Sequence, residues 1–186
     1  MKNIAIFASG EGTNAQNIID YFKFSDTIKV KVVVSNNPHA NVLNRAKKEG
    51  VPTILINRES FYNSNKLIEQ LKELKIDAII LAGFLWLIPE NLITTFSGKI
   101  INIHPALLPK YGGKGMYGMK VHEAVIKEKE KESGISIHYV NSEYDKGEII
   151  SQHKCTIDSS DTAQTLADKI HTLEKEFFPR TIEKVI

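Results

Sequence analysis

Short runs rich in isoleucine and valine alternate with amphipathic segments along most of this chain. Runs of about four to eight such residues are typical of buried strands. Between them, apolar residues recur at helical spacing, as Leu67, Leu71 and Leu74 do. Because strand, helix and strand in succession favour right-handed crossovers, we predict a parallel sheet. The predicted strands are residues 3–8, 28–34, 53–56, 77–82 and 99–103, and the predicted helices are residues 14–24, 41–50 and 64–75.

The pattern changes at Gly134, where apolar and polar residues begin to alternate. Residues 134–140 and 148–157 both show this alternation, and the turn-like segment NSEYDKG joins them. Alternating runs on either side of a turn are typical of paired strands with one solvated face. We therefore expect a β-hairpin-like addition in this part of the chain.

A last amphipathic helix is predicted over residues 161–178. Asp161 is its N-cap candidate, and Pro179 is expected to stop it. We expect one domain over residues 1–186 rather than several smaller ones. The predicted fold class is α/β and Rossmann-like, with a mostly parallel twisted sheet, helices on both faces and an antiparallel C-terminal strand addition.

Composition narrows the classes of partner. The chain has 24 Lys and Arg residues against 22 Asp and Glu residues, and its net charge of +2 is spread along its length. A nucleic-acid partner is therefore not expected. The single Cys155 cannot form an internal disulfide, and no apolar run approaches the ~20 residues that span a bilayer. We predict a cytoplasmic protein with no membrane partner, and the sequence leaves its oligomeric state open.

The first candidate site is SGEGTN, residues 9–14, between the first strand and the first helix. Glycines at this point let the backbone approach a ligand, and the helix N-terminus attracts an anion. Gly10, Gly12 and Ala15 also satisfy a relaxed dinucleotide fingerprint, so an oxidoreductase is an alternative. However, the second strand ends in VVVSNNPH, without an acidic residue for an adenosine ribose. This favours a single phosphate, and the remaining alternative is a tight turn without a ligand.

The second candidate site lies in NIHP, at the end of the fifth predicted strand. Side chains alternate along a strand, so Asn102 and His104 share one face at the edge where open α/β sheets bind ligands. Pro105 restricts His104 to extended geometry. An amide donor beside a titratable imidazole suits acyl transfer, because both can stabilise charge on a carbonyl oxygen. The alternative is a hydrogen-bonded polar pair without a catalytic role.

Two further residues can support His104. Asp145 lies in a predicted turn, and its carboxylate could orient an imidazole and favour the charged form. The alternative is an ordinary turn aspartate. His138 shares a strand face with Ser136 and could approach the same site.

The sequence contains no zinc-helix motif. His122 lies in VHEAVI, which lacks the second histidine of a zinc helix, so we expect no metal.

Four motifs together resemble the folate-dependent formyltransferase superfamily, and within it the phosphoribosylglycinamide formyltransferase family. The motifs are SGEGTN, LAGFLWLI at residues 81–88, NIHPALLPKY at residues 102–111 and EYDKGEII at residues 143–150. The resemblance covers nearly the whole chain and keeps the order of the motifs. It departs from the family in the Gly-rich loop after Lys110, where residues 112–118 are our candidate for a mobile lid.

The resemblance implies transfer of a formyl group from the co-substrate 10-formyltetrahydrofolate to the amine of 5'-phosphoribosylglycinamide. It implies that His104 is the proton donor and that Asp145 raises the pKa of His104. It requires no metal and no covalent enzyme intermediate. By position, the family's functional residues are the catalytic Asn102, His104 and Asp145, the ribonucleotide-binding Gly12, Thr13, Asn14 and Glu174, and the folate-binding Leu85, Trp86, Leu87, Ile88 and Asn102.

Three alternatives to this function remain. A methionyl-tRNA formyltransferase shares the NIHP motif, but it usually carries an RNA-binding domain and a basic surface, which we do not expect here. A formyltetrahydrofolate hydrolase usually adds an N-terminal regulatory domain, for which we see no room before Asn3. A non-catalytic binder of a phosphorylated sugar would keep SGEGTN without the three catalytic residues.

Overall fold

The computed structural model describes residues 1–186, which form a first unit (residues 1–101 with Ile186) and a second unit (residues 102–185). No helix in it combines the length and the apolar character that crossing a bilayer requires. Seven strands form one sheet in the order third, second, first, fourth, fifth, sixth, seventh. The strands are β1 (Lys2–Phe7), β2 (Ile28–Ser35), β3 (Thr53–Leu55), β4 (Ala78–Leu81), β5 (Ile100–His104), β6 (Glu132–Tyr139) and β7 (Ile149–Thr156).

The parallel part of the predicted sheet is confirmed in the first unit. Strand β1 pairs in parallel with β2 and β4, and β2 pairs in parallel with β3. Ile4, Ile6 and Phe7 of β1 are fully buried, as are Ile79 and Ile80 of β4. Strands covered on both faces need apolar side chains in both directions, so these strands are continuous apolar runs.

The antiparallel addition is confirmed in the second unit. Strand β6 pairs antiparallel with β7, which is the last strand of the sheet. Ile135 and Ile137 of β6 are fully buried, and Ser136 and His138 on the opposite face are buried as well. Strand β6 is therefore covered on both faces, and two of its buried side chains are polar.

Seven helices accompany the strands, and the sequence pattern predicted four of them. Two of the three that it missed span only five and six residues, which is too few turns for a 3.6-residue period to be visible, and the third follows the Gly-rich residues 112–118. The helices are α1 (Thr13–Phe22), α2 (Asn41–Lys48), α3 (Arg58–Tyr62), α4 (Lys66–Glu73), α5 (Glu90–Thr95), α6 (Met119–Lys127) and α7 (Ala163–Val185), of which α3, α5 and α6 were not predicted.

Both predicted ends of α7 are wrong. The helix begins at Ala163, because Thr162 and Thr165 cap it reciprocally through their hydroxyl and backbone N–H groups. It continues through Pro179 to Val185. Phe178, Pro179 and Ile182 are buried. Burial of this apolar stripe offsets the hydrogen bond that proline removes from the helix.

Gly12 precedes the first residue of α1 and adopts φ +74°. A β-carbon at this position would lie 2.5 Å from Cγ2 and 2.9 Å from the backbone Cα of Val42 in α2. At Gly10, by contrast, a β-carbon would meet nothing within 4 Å. Gly12 is therefore needed for the left-handed turn and for the close approach of α2, besides any role in ligand binding.

We predict that Gly12→Ala lowers the free energy of unfolding by about 1–3 kcal/mol, because it combines backbone strain with overpacking. The matched control Gly10→Ala should stay within about 0.5 kcal/mol of wild type. Urea denaturation followed by circular dichroism measures both. Equal urea midpoints for the two variants would contradict the proposed contact with Val42.

Candidate functional site

The Asp145 carboxylate lies at the centre of a polar cluster in the second unit. Its Oδ2 atom accepts a 2.9 Å hydrogen bond from the Gly113 N–H and lies 3.5 Å from His104 Nδ1. Its Oδ1 atom accepts a 3.3 Å hydrogen bond from Asn102 Nδ2 and lies 3.6 Å from His138 Nε2. These five residues are called the Asp145 cluster below. The three residues predicted to be catalytic are thus brought together.

His104 ends β5, and both nitrogens of its ring face an acceptor. Nε2 lies 2.7 Å from the Tyr111 carbonyl oxygen. Because a carbonyl only accepts, Nε2 must carry a hydrogen. Nδ1, which faces Asp145, therefore has the lone pair when the ring is neutral and gains the second proton when the ring is charged.

Burial sets the protonation state of His104 in this ligand-free structure. It lowers the pKa of His104, and the opposing effects of the Asp145 charge and the Tyr111 carbonyl do not outweigh it. Burial alone would raise the pKa of Asp145, but His138, the His104 charge and the Gly113 N–H together hold it below its ordinary value. Asp145 thus raises the pKa of His104 as predicted, and burial outweighs this effect, so the net shift is downward. Near pH 7 the pair is a carboxylate beside a mostly neutral imidazole.

The Asn102 side chain is oriented by two acceptors. Its Nδ2 atom lies 3.0 Å from His138 Nε2 and 3.3 Å from Asp145 Oδ1. His138 Nδ1 donates to the Tyr139 carbonyl at 2.8 Å, which leaves His138 Nε2 to accept from the amide. The amide nitrogen must therefore face the carboxylate. This geometry confirms that His138 approaches the site.

The loop that follows β5 is held by a buried serine of β6. Ser136 Oγ donates to the Ala106 carbonyl at 2.7 Å and accepts from the Leu108 N–H at 2.9 Å. Gln152 of β7 adds hydrogen bonds of 2.8 Å to Ser136 Oγ and 3.0 Å to the Leu108 carbonyl. Because Ser136 and His138 lie on one face of β6, the same strand fixes both this loop and the orientation of Asn102.

The candidate anion loop lies in the first unit, at the N-terminus of α1. The first turn of α1 contains no acidic residue, and the preceding Glu11 is held by α2. Asn41 Nδ2 donates to the Glu11 carboxylate at 3.1 Å, and Arg45 Nε donates to the Glu11 carbonyl at 2.8 Å. Arg45 also places a cation beside the loop. The predicted residues Gly12, Thr13 and Asn14 therefore lie where an anion is favoured.

The predicted folate segment, residues 85–88, also lies in the first unit. Trp86 belongs to an aromatic cluster, with ring centroids 5.6 Å from Phe61 and 6.3 Å from Phe84. The Arg58 guanidinium lies 5.1 Å from the centre of the Trp86 ring. Leu85 is exposed, Leu87 is half-buried and Ile88 is buried. The Trp86 side chain itself is half-buried.

The main chain ties this segment to the anion loop. Ser9 Oγ accepts a 3.0 Å hydrogen bond from the Leu85 N–H, and the Ser9 N–H donates to the Gly83 carbonyl at 3.0 Å. Asn37 Nδ2 donates to the Ser9 carbonyl at 3.3 Å. Both segments follow strands of the first unit whose carboxyl ends lie at one edge of the sheet, where open α/β sheets bind ligands.

The chain matches the model of a family described as formyl transferase over residues 2–182. The chain belongs to the formyl transferase family. A phosphoribosylglycinamide formyltransferase of Bacillus subtilis (strain 168) is 35% identical over 191 residues, which cover 100% of this chain and 95% of the relative. A chloroplastic phosphoribosylglycinamide formyltransferase of Vigna unguiculata is 37% identical over 98% of this chain, which spans only 60% of that relative's length.

Solved structures agree with this membership. The crystal structure of phosphoribosylglycinamide formyltransferase from Bacillus halodurans superposes with a TM-score of 0.87 at 36% identity, covering 98% of this chain and 94% of that chain. The sheet of parallel strands with one antiparallel edge strand is therefore a formyl transferase fold. Membership in the formyl transferase family also favours the formyltransferase interpretation over the dinucleotide alternative for SGEGTN.

The structure gives the surroundings of one predicted residue and adds contributions that were not predicted. Glu174, predicted near the ribonucleotide, is buried on α7. Helix α6, Met119–Lys127, directly follows the Gly-rich residues 112–118 and was not predicted. The contributions of Tyr111, Gly113 and Arg45 to the two sites were missed. Tyr111 and Gly113 act through backbone atoms, and Arg45 contacts the anion loop from another helix.

We predict that Asp145→Asn lowers the pKa of His104 further, because it removes the charge that opposes the effect of burial. Asparagine also tolerates the φ of +55° at this position, so the backbone should be retained. Titration of the His104 ring by NMR in wild type and variant measures the shift. An unchanged or higher His104 pKa in the variant would show that the carboxylate does not stabilise the imidazolium.

Proposed function

We propose that residues 1–186 act as one formyltransferase domain in de novo purine biosynthesis. It transfers the formyl group of 10-formyltetrahydrofolate to the amine of 5'-phosphoribosylglycinamide, giving the N-formyl product and tetrahydrofolate. The observation that carries this proposal is the Asp145 cluster, in which a carboxylate, an imidazole and an amide meet in a member of the formyl transferase family. The names of the Bacillus subtilis and Vigna unguiculata relatives support the choice of ribonucleotide.

His104 handles the proton of the reaction in this proposal. The amine attacks the formyl carbon, and the carbonyl electron pair moves to oxygen, giving an ammonium group and an oxyanion on one tetrahedral carbon. Nδ1 of neutral His104 takes the ammonium proton, and Asp145 stabilises the resulting imidazolium. The imidazolium then donates this proton to the folate nitrogen as the carbon–nitrogen bond breaks and the carbonyl re-forms. His104 thus keeps the role of proton donor after first acting as acceptor.

Asn102 is the proposed donor to the oxyanion. Its amide nitrogen is oriented by His138 and Asp145, and the 3.3 Å bond to Asp145 is the longer of its two contacts. A developing oxyanion would share this amide hydrogen with the Asp145 carboxylate, whose hold on it is the weaker of the two. A donor held in place before the reaction stabilises charge without reorganisation, which is the usual source of oxyanion-hole catalysis.

The remaining predicted residues are assigned to binding. We assign Gly12, Thr13 and Asn14 to the ribonucleotide phosphate, because the helix N-terminus and Arg45 favour an anion there. Glu174 is assigned to the ribonucleotide, and residues 85–88, with Asn102, are assigned to the folate. We further propose a cytoplasmic protein that uses no metal and has neither a nucleic-acid nor a membrane partner.

A transfer assay tests this function. Purified protein is incubated with 10-formyltetrahydrofolate and 5'-phosphoribosylglycinamide, with each omitted in turn and with methionyl-tRNA in place of the ribonucleotide, and formation of tetrahydrofolate and formate is followed. Turnover that requires both substrates is expected. Release of formate without the amine would indicate a hydrolase, and turnover only with methionyl-tRNA would indicate the tRNA enzyme. Binding of both substrates with no product would indicate a non-catalytic binder, and each of these three outcomes would overturn the proposal.

We predict that Asn102→Ala lowers kcat by about 100-fold to 1000-fold, the usual effect of removing one oxyanion donor. The control Asn91→Ala removes a half-buried amide of α5 whose side chain contacts Asn65, and it should leave kcat unchanged. Steady-state kinetics with both substrates measures these rates. A loss of less than about threefold for Asn102→Ala in a folded protein would make the amide structural.

A further inference from the structure

Tyr111 joins the catalytic imidazole to a pair of glutamates. Its carbonyl accepts the His104 Nε2 hydrogen at 2.7 Å, and its hydroxyl lies 2.7 Å from Glu128 Oε2 and 3.0 Å from Glu130 Oε1. Lys110 Nζ lies 2.7 Å from the same Glu130 oxygen. Partial burial and the two carboxylates raise the pKa of Tyr111, so the hydroxyl stays protonated and acts as the donor.

The two glutamates are held by the end of α6. The Lys129 N–H donates to the Ile126 carbonyl, and the Glu130 N–H donates to the Val125 carbonyl. Lys129 adopts φ +55°, and this combination is the Schellman motif that ends many helices. Glu128 and Glu130 flank the left-handed residue, so their backbones are fixed, and both carboxylates point at one hydroxyl. We call Glu128, Glu130 and the Tyr111 hydroxyl the tyrosine clamp.

The backbone of Tyr111 needs such support. Its φ of +58° is unfavourable for a residue with a large side chain, and Asp145 on the other side of the His104 ring has φ +55°. Two residues after Tyr111, the Gly113 N–H binds Asp145 Oδ2. A displacement of Tyr111 would therefore disturb both contacts of the imidazole, one on each ring nitrogen.

We propose that the tyrosine clamp makes Tyr111 a positioning residue that holds neutral His104 in the tautomer with hydrogen on Nε2. The lone pair is thereby kept on Nδ1, beside Asp145, where the proton of the reaction is taken up. This role rests on the proposed function. The tautomer itself, however, is a property of the free protein and can be measured without substrate.

The test compares Tyr111→Phe with the double variant Glu128→Ala/Glu130→Ala. Tyr111→Phe removes only the hydroxyl. The double glutamate variant removes the two carboxylates, so it tests the clamp independently if Tyr111→Phe does not fold. The control is Glu132→Ala. It breaks the surface ion pair of Glu132 with Lys154, which resembles the pair of Glu130 with Lys110 and has an N–O distance of 2.6 Å. This control pair has no link to His104.

The first readout is the ¹⁵N NMR spectrum of the His104 ring in the free protein, recorded above its pKa. Wild type and Glu132→Ala should show a protonated Nε2 and an unprotonated Nδ1. Tyr111→Phe and the double glutamate variant should show averaged shifts of two exchanging tautomers. Hydrogen on Nδ1 in wild type, or a tautomer that neither clamp variant changes, would overturn the proposal.

The second readout is the separation of kcat from KM. Tyr111→Phe should lower kcat about tenfold, with KM for both substrates within about twofold of wild type, because the clamp affects the proton and not the binding contacts. The double glutamate variant should give a similar loss, and combining all three substitutions should add little to it. Wild-type kcat in both variants would overturn the role.

Failure of the proposed function and failure of the clamp can be told apart. If wild type transfers no formyl group but its tautomer is as expected, the proposed function fails and the positioning role is judged by the NMR readout alone.

Discussion

A buried carboxylate needs donors, and this requirement organises the polar part of the second unit. Asp145 is only 11% exposed in its side chain, so its charge must be stabilised by neighbours. The amide of Asn102 and the N–H of Gly113 donate to it from two separate segments, and the ring of His104 lies beside it, 3.5 Å away. Gly112 allows the close approach, because a β-carbon there would lie 3.2 Å from Asp145 Cβ. The carboxylate therefore fixes the amide, the imidazole and the Gly-rich segment together.

Burial and the Asp145 carboxylate shift the pKa of His104 in opposite directions. This balance suits a residue that first accepts a proton and then donates it. In the free protein burial dominates and lowers the pKa of His104, which leaves a lone pair on Nδ1. When a proton arrives, Asp145 stabilises the imidazolium without any movement of side chains. An imidazole with a strongly raised pKa would hold a proton permanently and could not accept one from the attacking amine. The low pKa of His104 in the free protein thus agrees with acceptance followed by donation.

The sequence predicted the strands, the antiparallel edge and the three central residues of the site. The apolar runs were visible because buried strands such as β4 need apolar side chains in both directions. Asn102 and His104 were visible because polar residues interrupt such a run. Tyr111 and Gly113 were not, since a backbone carbonyl and a backbone N–H leave no trace in residue type. The continuation of α7 through Pro179 was missed because packing outweighed a local preference. The net direction of the His104 pKa shift depends on burial depth, which only the three-dimensional structure gives.

The most direct test of the pairing between His104 and Asp145 is a double-mutant cycle on the rate of formyl transfer. kcat is measured for wild type, His104→Ala, Asp145→Asn and the double variant under identical conditions. If Asp145 acts through His104, the double variant should be about as slow as His104→Ala alone, because residues that act as a unit are non-additive. Fully multiplicative losses would show that the two residues act independently and would contradict the proton-transfer role assigned to the pair.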